Sequence, residues 1–436
     1  MTPKTPTAPR PRGFSLIELM VALAISLVVI AGGMGLMVSQ VRTFQETAGD
    51  RHLQETARIA LDHIGNNLRQ AGFGVDLALA FDFGPMANVR MDRGPSGVTF
   101  ATNSYPMGTG GVCGPTLCRD STVASDEIVF FSRDPAFGPH PLTVAANAGS
   151  TSLTIAGPLN VGLQQGQILQ VVCYTGDMTW AYVQVAAPPG LPNADGSVTV
   201  PITGGGNNFP QQNNFLGDPC YGTVASMSGG AVVTATLTTA AEVFKVDRYH
   251  YWIQNYDPSG NLQPWGSATG RPYLMFDQGL YSGANLQTSV ISPDVEDLQF
   301  SFVFPYDAVT PLVGATPGTA ITDDDFGINL APAAGCPAYS DPTTSPTRQN
   351  HDPGNIGAVQ VSVVARTADQ DLTLSNSSTI PAAGNRAAAA GPAGYTRLLV
   401  NTTFAVRNLS ALSPYFPSYG AAPAASGSRE LNTGGG

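Results

Sequence analysis

The chain has 436 residues, enough for one large domain or two ordinary ones, and a formal net charge of −11 at pH 7. Charged residues make up only 12% of it, about half of the roughly 25% that is usual in soluble domains. Its only lysines are Lys4 and Lys245. Because binding of nucleic-acid phosphates needs clustered cations, this composition argues against a nucleic-acid partner.

The first 41 residues predict a membrane anchor. Residues 1–13 are basic, with no acidic residue, and we interpret them as a cytoplasmic leader peptide. Residues 14–41 carry one charge, Glu18, and as a helix they would extend roughly 42 Å, enough to cross a hydrocarbon core of about 30 Å. Since positive charge before a span stays in the cytoplasm, everything after Val41 is predicted to lie in the periplasm.

Three interpretations compete for this apolar segment. A cleaved signal peptide would use "AGG" at 31–33 as its small-residue site, but the apolar run continues beyond it. A plain anchor leaves Glu18 unexplained, because a carboxylate inside a membrane is costly and normally has a partner. The third interpretation uses every feature, since "GFSLIE" at 13–18 resembles the cleavage and methylation motif of type IV prepilins.

The resemblance to prepilins implies roles for three residues. In that family a membrane peptidase cuts after the glycine and the new N-terminal residue is N-methylated, which implies cleavage after Gly13 and methylation of Phe14. The family's glutamate pairs with the N-terminal amine of a neighbouring subunit, which implies that Glu18 serves in subunit docking. Such pairing would compensate both charges in an apolar environment.

Residues 42–71 predict an amphipathic continuation of the same helix, so that one helix would cover 14–71. Seven apolar residues recur at spacings of three and four: Leu53, Ala57, Ala60, Leu61, Ile64, Leu68 and Ala71. The sequence "GFG" at 72–74 is typical of a helix end. Three glycines, Gly32, Gly33 and Gly35, lower the helix propensity in the middle of this helix. They serve either close helix packing in the membrane or local melting of the helix during filament assembly.

Residues 72–410 predict a β-rich globular region. Its β-branched and aromatic runs, separated by turn residues, are 125–134, 151–157, 166–174, 179–187, 196–202, 242–254, 271–278, 295–304, 358–366 and 398–408. We therefore expect an α+β fold in which the long helix packs on an antiparallel β-sheet. Residues 139–238 are interpreted as a β-rich insertion, which either carries partner specificity or simply adds β-structure. Residues 381–394 predict a loop, and 411–436 a flexible tail.

The five cysteines would all lie in an oxidising compartment. Cys113 with Cys118, and Cys173 with Cys220, are candidate disulfides, and Cys336 is then left over. Two bridges among five cysteines allow 15 arrangements, so the connectivity stays open. The acidic run at 323–325 is interpreted as a solvated loop rather than a calcium site, because the EF-hand spacing is missing. No catalytic constellation, metal site or cofactor motif is predicted, so we expect no enzyme.

Later blocks of the chain narrow the resemblance. The segments at 57–74, 295–304, 358–367 and 404–409 resemble, in the same order, blocks of PilW-type minor pilins. This resemblance implies a minor pilin that primes a type IV pilus at or near its tip, with roles in adhesion and twitching motility. Its partners would be prepilin peptidase, an N-methyltransferase, other minor pilins, the major pilin and a tip adhesin. It would begin in the inner membrane and end in the pilus at the cell surface.

Two alternatives remain open. A minor pseudopilin of type II secretion would share the cleavage motif, the helix and the architecture. An anchored periplasmic enzyme or binding protein would use the helix only as an anchor, and then Glu18 could be replaced without loss.

Overall fold

The computed structural model describes residues 15–75, 80–81, 124–144, 146, 150–173, 179–202, 223–228, 231–236, 241–303, 356–370, 378–384 and 386–410. By compactness the chain divides into two units, Met1–His52 and Leu53–Gly436. The cleavage residues Gly13 and Phe14, the acidic run at 323–325 and the tail at 411–436 lie outside the described residues.

Two helices and seventeen strands occur in the described residues. The helices are α1 (Leu16–Leu68) and α2 (Arg407–Ser410). The strands are β1 (Ile128–Arg133), β2 (His140–Pro141), β3 (Ser152–Ile155), β4 (Ile168–Cys173), β5 (Thr179–Gln184), β6 (Val198–Pro201), β7 (Thr223–Ser228), β8 (Ala231–Thr236), β9 (Ala241–Tyr256), β10 (Leu262–Gln263), β11 (Arg271–Ser282), β12 (Asn285–Pro293), β13 (Val295–Val303), β14 (Ala358–Arg366), β15 (Thr379–Ile380), β16 (Ala389–Ala390) and β17 (Arg397–Ala405).

These elements confirm the α+β fold class, with a long N-terminal helix followed by antiparallel sheets. Each of the ten predicted runs contains a strand. Seven further strands were not predicted: β2, β7, β8, β10, β12, β15 and β16. The clearest case is β12, because its sequence "NLQTSVISP" lacks the apolar alternation that marks a half-buried strand. It forms because the hairpin through Gly283, with a φ of 61°, returns the chain alongside β11.

Two sheets carry most of the β-structure. The larger follows the order β12-β11-β9-β4-β5, with β1, β2 and β10 also paired to β9. The 16-residue β9 is its spine: β4 and β11 lie end to end along one side, and β1 lies on the other. The smaller sheet has the order β13-β14-β17. All the pairings of named strands are antiparallel, which suits connections made largely by hairpins and loops.

The segment interpreted as an insertion shares the larger sheet. Within 139–238, β4 pairs with β9 from Ile168↔Val246 to Cys173↔Ala241. The same segment, together with Phe137 before it and Ala241 and Val243 after it, forms an apolar cluster of its own that includes Leu153, Leu169 and Val200. A shared strand ladder and a separate apolar cluster are both present, so the status of 139–238 as an insertion stays a prediction.

The second half of α1 packs as its periodicity predicts. All seven stripe residues are buried, each at most 7% exposed. The regular helix ends at Leu68, three residues before the predicted end, and a turn continues through "GFG". Gly72 has a φ of 79°, a left-handed conformation that suits glycine, and its N–H donates to the carbonyl of Phe131 in β1.

Helix α1 lies close against β17 at Gly65. A Cβ at this position would lie 2.1 Å from the Phe404 ring. We expect Gly65→Ala to lower the free energy of unfolding by about 1–3 kcal/mol, because the overpacking outweighs the roughly 1 kcal/mol gain in helix propensity. Denaturant titration of the detergent-solubilised chain, followed by tryptophan fluorescence, measures the change.

The matched control for this substitution is Gly35→Ala, because nothing lies within 4 Å of a Cβ at Gly35. That variant should unfold at the wild-type denaturant concentration or slightly above it, since it gains helix propensity without any overpacking. Equal stabilities of the two variants would contradict a tight contact between α1 and β17.

Three carboxylates join the two sheets where β12 runs into β13. Asp294, Glu296 and Asp297 are each at most 3% exposed, and each pairs with an arginine from another segment. Arg271 contacts Asp294 at 2.7 Å, Arg397 contacts Glu296, and Arg386 contacts Asp297 at 2.6 Å. Asp294 itself has a φ of 60°, and this left-handed residue turns the chain from one sheet into the other. The predicted loop at 381–394 therefore contains a wholly buried arginine, Arg386.

Candidate functional site

The N-terminus of α1 is closed by a reciprocal pair of hydrogen bonds between Ser15 and Glu18. The Ser15 N–H donates to Oε2 of Glu18 at 3.0 Å, and the Glu18 N–H donates to Oγ of Ser15 at 3.2 Å. This is the capping box of the pattern S-x-x-E, which satisfies two backbone donors at a helix start. The sequence "SLIE" contains this pattern, but the capping box was not predicted, because these residues were interpreted only as part of the processing motif.

Glu18 therefore has a structural role within a single chain, before any pairing with another subunit. Its carboxylate lies in the first turn of α1, where the partial positive charge of the helix N-terminus favours an anion. The hydrogen bond from Ser15 uses Oε2 and orients the carboxylate toward the residues that precede the helix. A cut after Gly13 would place a new ammonium at Phe14, directly next to Ser15 in the chain.

The first half of α1 exposes a continuous apolar surface. Its large apolar side chains from Leu16 to Val41 are 47–77% exposed. The helix is long and apolar enough to span a membrane. A soluble protein rarely leaves so large an apolar surface in water, so lipid or other apolar helices must cover it.

The second half of α1 is held to the larger sheet by a polar contact inside an aromatic cluster. The Tyr251 hydroxyl lies 2.9 Å from Nδ1 of His63, and Asn67 donates to the same oxygen. The His63 ring also packs edge-on against Phe276 at 5.3 Å. Burial lowers the pKa of His63 and raises that of Tyr251, so both groups are neutral near pH 7.

The lowered pKa of His63 predicts a loss of stability in acid. The unfolded chain takes up a proton at His63 near pH 6.5, whereas the folded chain does so only at lower pH. The contribution of neutral His63 to the free energy of unfolding is therefore complete above about pH 6.5. It declines as the pH falls toward the folded-state pKa of His63. Melting temperatures at pH 7.5 and 5.0 should differ less in His63→Gln than in the wild type.

Asn67→Ala is the control for this pH dependence, because it removes a hydrogen bond at the same hydroxyl without removing a titrating group. It should lower the melting temperature at both pH values and keep the wild-type difference between them. An unchanged pH difference in His63→Gln would contradict the assignment.

A second polar cluster lies on the opposite face of the larger sheet. His250 is held between two carboxylates, with Nε2 2.8 Å from Glu127 and Nδ1 2.7 Å from Asp277, and Arg248 contacts Asp277 at 2.6 Å. Burial opposes ionisation of Asp277, but His250 and Arg248 outweigh it and lower its pKa to about 2. All four side chains are at most 5% exposed. These buried contacts link the residue before β1 to β9 and β11.

The remaining candidate residues are placed only in part. Cys113, Cys118, Cys220 and Cys336 lie outside the described residues, and Cys173 ends β4 without a described side chain. The candidate disulfides therefore stay predictions. Within the described parts of the chain, no group of three or more histidine, cysteine, aspartate or glutamate side chains could hold a metal ion.

Comparison with known proteins identifies one feature, at the N-terminus. Residues 9–34 match the family model described as the prokaryotic N-terminal methylation motif. No curated protein and no solved structure matches the chain significantly. The motif and the membrane-length helix support anchoring in the inner membrane and processing by prepilin peptidase, and proteins with this motif are substrates of the peptidase and methyltransferase rather than enzymes. Together they support a type IV prepilin-like protein, which acts in a pilus or a pseudopilus.

Proposed function

We propose that this chain is a PilW-like minor pilin that primes a type IV pilus and sits at or near its tip. The observation that carries the proposal is the methylation motif at 9–34 at the start of a 53-residue helix whose first half is exposed and apolar. Such a helix can leave the membrane and pack its apolar surface among other subunits. The PilW-like blocks, of which 295–304 and 358–367 contain β13 and β14, add support.

The proposal divides the chain by task. Residues 1–13 would be removed as the leader, 14–41 would span the membrane and then enter the filament core, and 42–71 would connect the span to the sheets. The β-rich region at 72–410 would meet the neighbouring subunits and the adhesin. A filament-tip subunit in this family can lack the glutamate, so the presence of Glu18 favours a position with at least one subunit beyond this one.

Mass spectrometry of the mature N-terminus tests the processing. We expect a chain that begins with N-methyl-Phe14. A terminus created after residues 31–33 would show an ordinary signal peptide and overturn the proposal.

Deletion of the gene distinguishes a pilin from a pseudopilin. Loss of surface pili and twitching with normal release of secreted proteins supports the pilin. Normal pili with blocked secretion would assign the chain to a type II secretion pseudopilus instead. If the deletion strain keeps both normal pili and normal secretion, and the isolated periplasmic part is active, an anchored enzyme or binding protein is favoured.

A further inference from the structure

The smaller sheet has two edges that differ in how they are covered. At the β13 edge, the segment 124–126 supplies hydrogen bonds: the Asp126 N–H donates to the carbonyl of Leu298 at 2.8 Å, and the Asp126 carboxylate accepts the Phe300 N–H at 3.0 Å. At the β17 edge, no strand among the described residues pairs with the outer side. Within the part of the chain that the structure describes, one edge is therefore closed, and we call the other, the outer side of β17, the open edge.

The alternation of hydrogen bonds along β17 shows which of its backbone groups face away from β14. Thr367 N–H donates to the Thr396 carbonyl and Val406 N–H to the Gly357 carbonyl, so the even-numbered residues of β17 bond to β14. In an antiparallel pair the bonded residues alternate with residues whose N–H and C=O point away from the partner strand. The odd-numbered residues Leu399, Asn401, Thr403 and Ala405 therefore present their backbone groups at the open edge.

The open edge also lacks the features that normally block strand addition. Residues 398–405 contain no charge, no proline and no glycine, and β17 pairs with β14 over nine residues without a bulge. In the larger sheet, the edge strand β12 has two register shifts against β11. Irregular pairing and charges are the usual protection of edge strands, so β12 is protected by its register shifts, whereas β17 pairs regularly and lacks this protection.

The side chains of β17 leave apolar surface beside α1. Leu398 and Val400 pack against Leu53 and Ala57, and Phe404 packs over Gly65, yet these three side chains of β17 stay only partly buried. On the other face Asn401 and Thr403 are exposed. An added strand with alternating apolar and hydroxyl or amide side chains would match both faces.

We propose that the open edge of β17 is a strand-addition site for an extended, uncharged segment of a neighbouring prepilin-type subunit. The inference rests on the proposed function, because a subunit packed along the second half of α1 would lie beside β17, which contacts Leu53 and Ala57 of that helix. Two other occupants are disfavoured. A second copy would bring together two chains of net charge −11, and the tail at 411–436 has three prolines that cannot donate to a ladder.

Cross-linking in cells tests the site. A photo-cross-linking amino acid placed at position 403 of the full chain should capture another subunit that carries a prepilin motif, identified by mass spectrometry. Thr403→Lys, which adds a charge at the edge, should lower the cross-linking yield between position 401 and that subunit by about tenfold, because an added strand would partly desolvate the ammonium group. Thr288→Lys on the exposed part of β12 is the matched control and should leave the yield unchanged.

A second variant guards against misfolding. Thr403→Pro removes only the outward N–H and keeps every hydrogen bond to β14, so it should fold and also lose the cross-link. Capture of residues 411–436 or of a second copy would overturn the proposal. The proposal would also fail if the chain with the cross-linking amino acid at position 403, and no other change, is present in purified filaments but forms no cross-link. That result leaves the proposed function standing. A wild-type chain absent from filaments would overturn the proposed function and this inference with it.

Discussion

Arg386→Ala is expected to lower the free energy of unfolding by about 3–5 kcal/mol, the range for removing one partner of a buried ion pair. Arg386 and Asp297 are both 0% exposed, and Nε and Nη2 of the arginine donate to one carboxylate oxygen at 2.8 and 2.6 Å. The guanidinium also donates to the carbonyls of Pro381 and Ala387. Its removal therefore leaves a buried carboxylate without its cation and frees the chain at 381–394.

The deficit of this variant should depend on pH. Burial already raises the pKa of Asp297 to about 6 with Arg386 in place, and loss of the cation raises it further. The folded variant then binds a proton at a pH where the unfolded carboxyl, with a pKa near 3.8, is still ionised. Since the folded state binds more protons in this window, the stability of the variant rises as the pH falls from 7.5 toward 5.

Arg58→Ala is the matched control, because the Arg58–Asp62 pair spans 3.5 Å with side chains 83% and 67% exposed. An exposed pair contributes little, so that variant should stay within about 0.5 kcal/mol of the wild type at either pH. Denaturant titrations of the three full-length proteins give the comparison. Equal stability of Arg386→Ala and Arg58→Ala would show that the loop at 381–394 is not held by its arginine.

Glu18→Ala should leave membrane insertion intact and reduce incorporation into filaments by at least about tenfold, because an ammonium left unpaired in an apolar environment costs well over 1.4 kcal/mol. The variant would be compared with the wild type by immunoblot of membranes and of sheared filaments. Glu46→Ala is the control, since Glu46 is an exposed glutamate on the same helix beyond the apolar segment. Normal incorporation of Glu18→Ala would contradict the docking role.

Glu18→Gln separates docking from helix capping. A glutamine still accepts the Ser15 N–H, so the capping box persists, but the charge that would pair with a neighbour's amine is lost. Failure of both Glu18→Gln and Glu18→Ala assigns the effect to charge. Rescue by glutamine would show instead that the hydrogen bond at the helix start is what assembly needs.

Local patterns in the chain were enough to find the long helix and ten of the seventeen strands in the described residues. A helical period marks the seven residues that α1 buries, and β-branched runs mark ten of the strands, because both patterns depend on neighbours within one turn or one strand. The prepilin motif is likewise a contiguous signal, which is why residues 9–34 are recognised without any fold.

The long-range arrangement follows from contacts between segments distant in the chain. Nothing near Arg386 in "AAGNRAAAA" indicates burial, because its partner Asp297 is 89 residues away. His63 similarly meets Tyr251 across 188 residues, and the open edge of β17 exists only because β14 takes one side of it and no described strand takes the other. Strand register and ion pairing between remote segments depend on how the whole chain packs, so these features emerge with the tertiary structure, whereas the processing motif and the long helix are already present in the linear sequence.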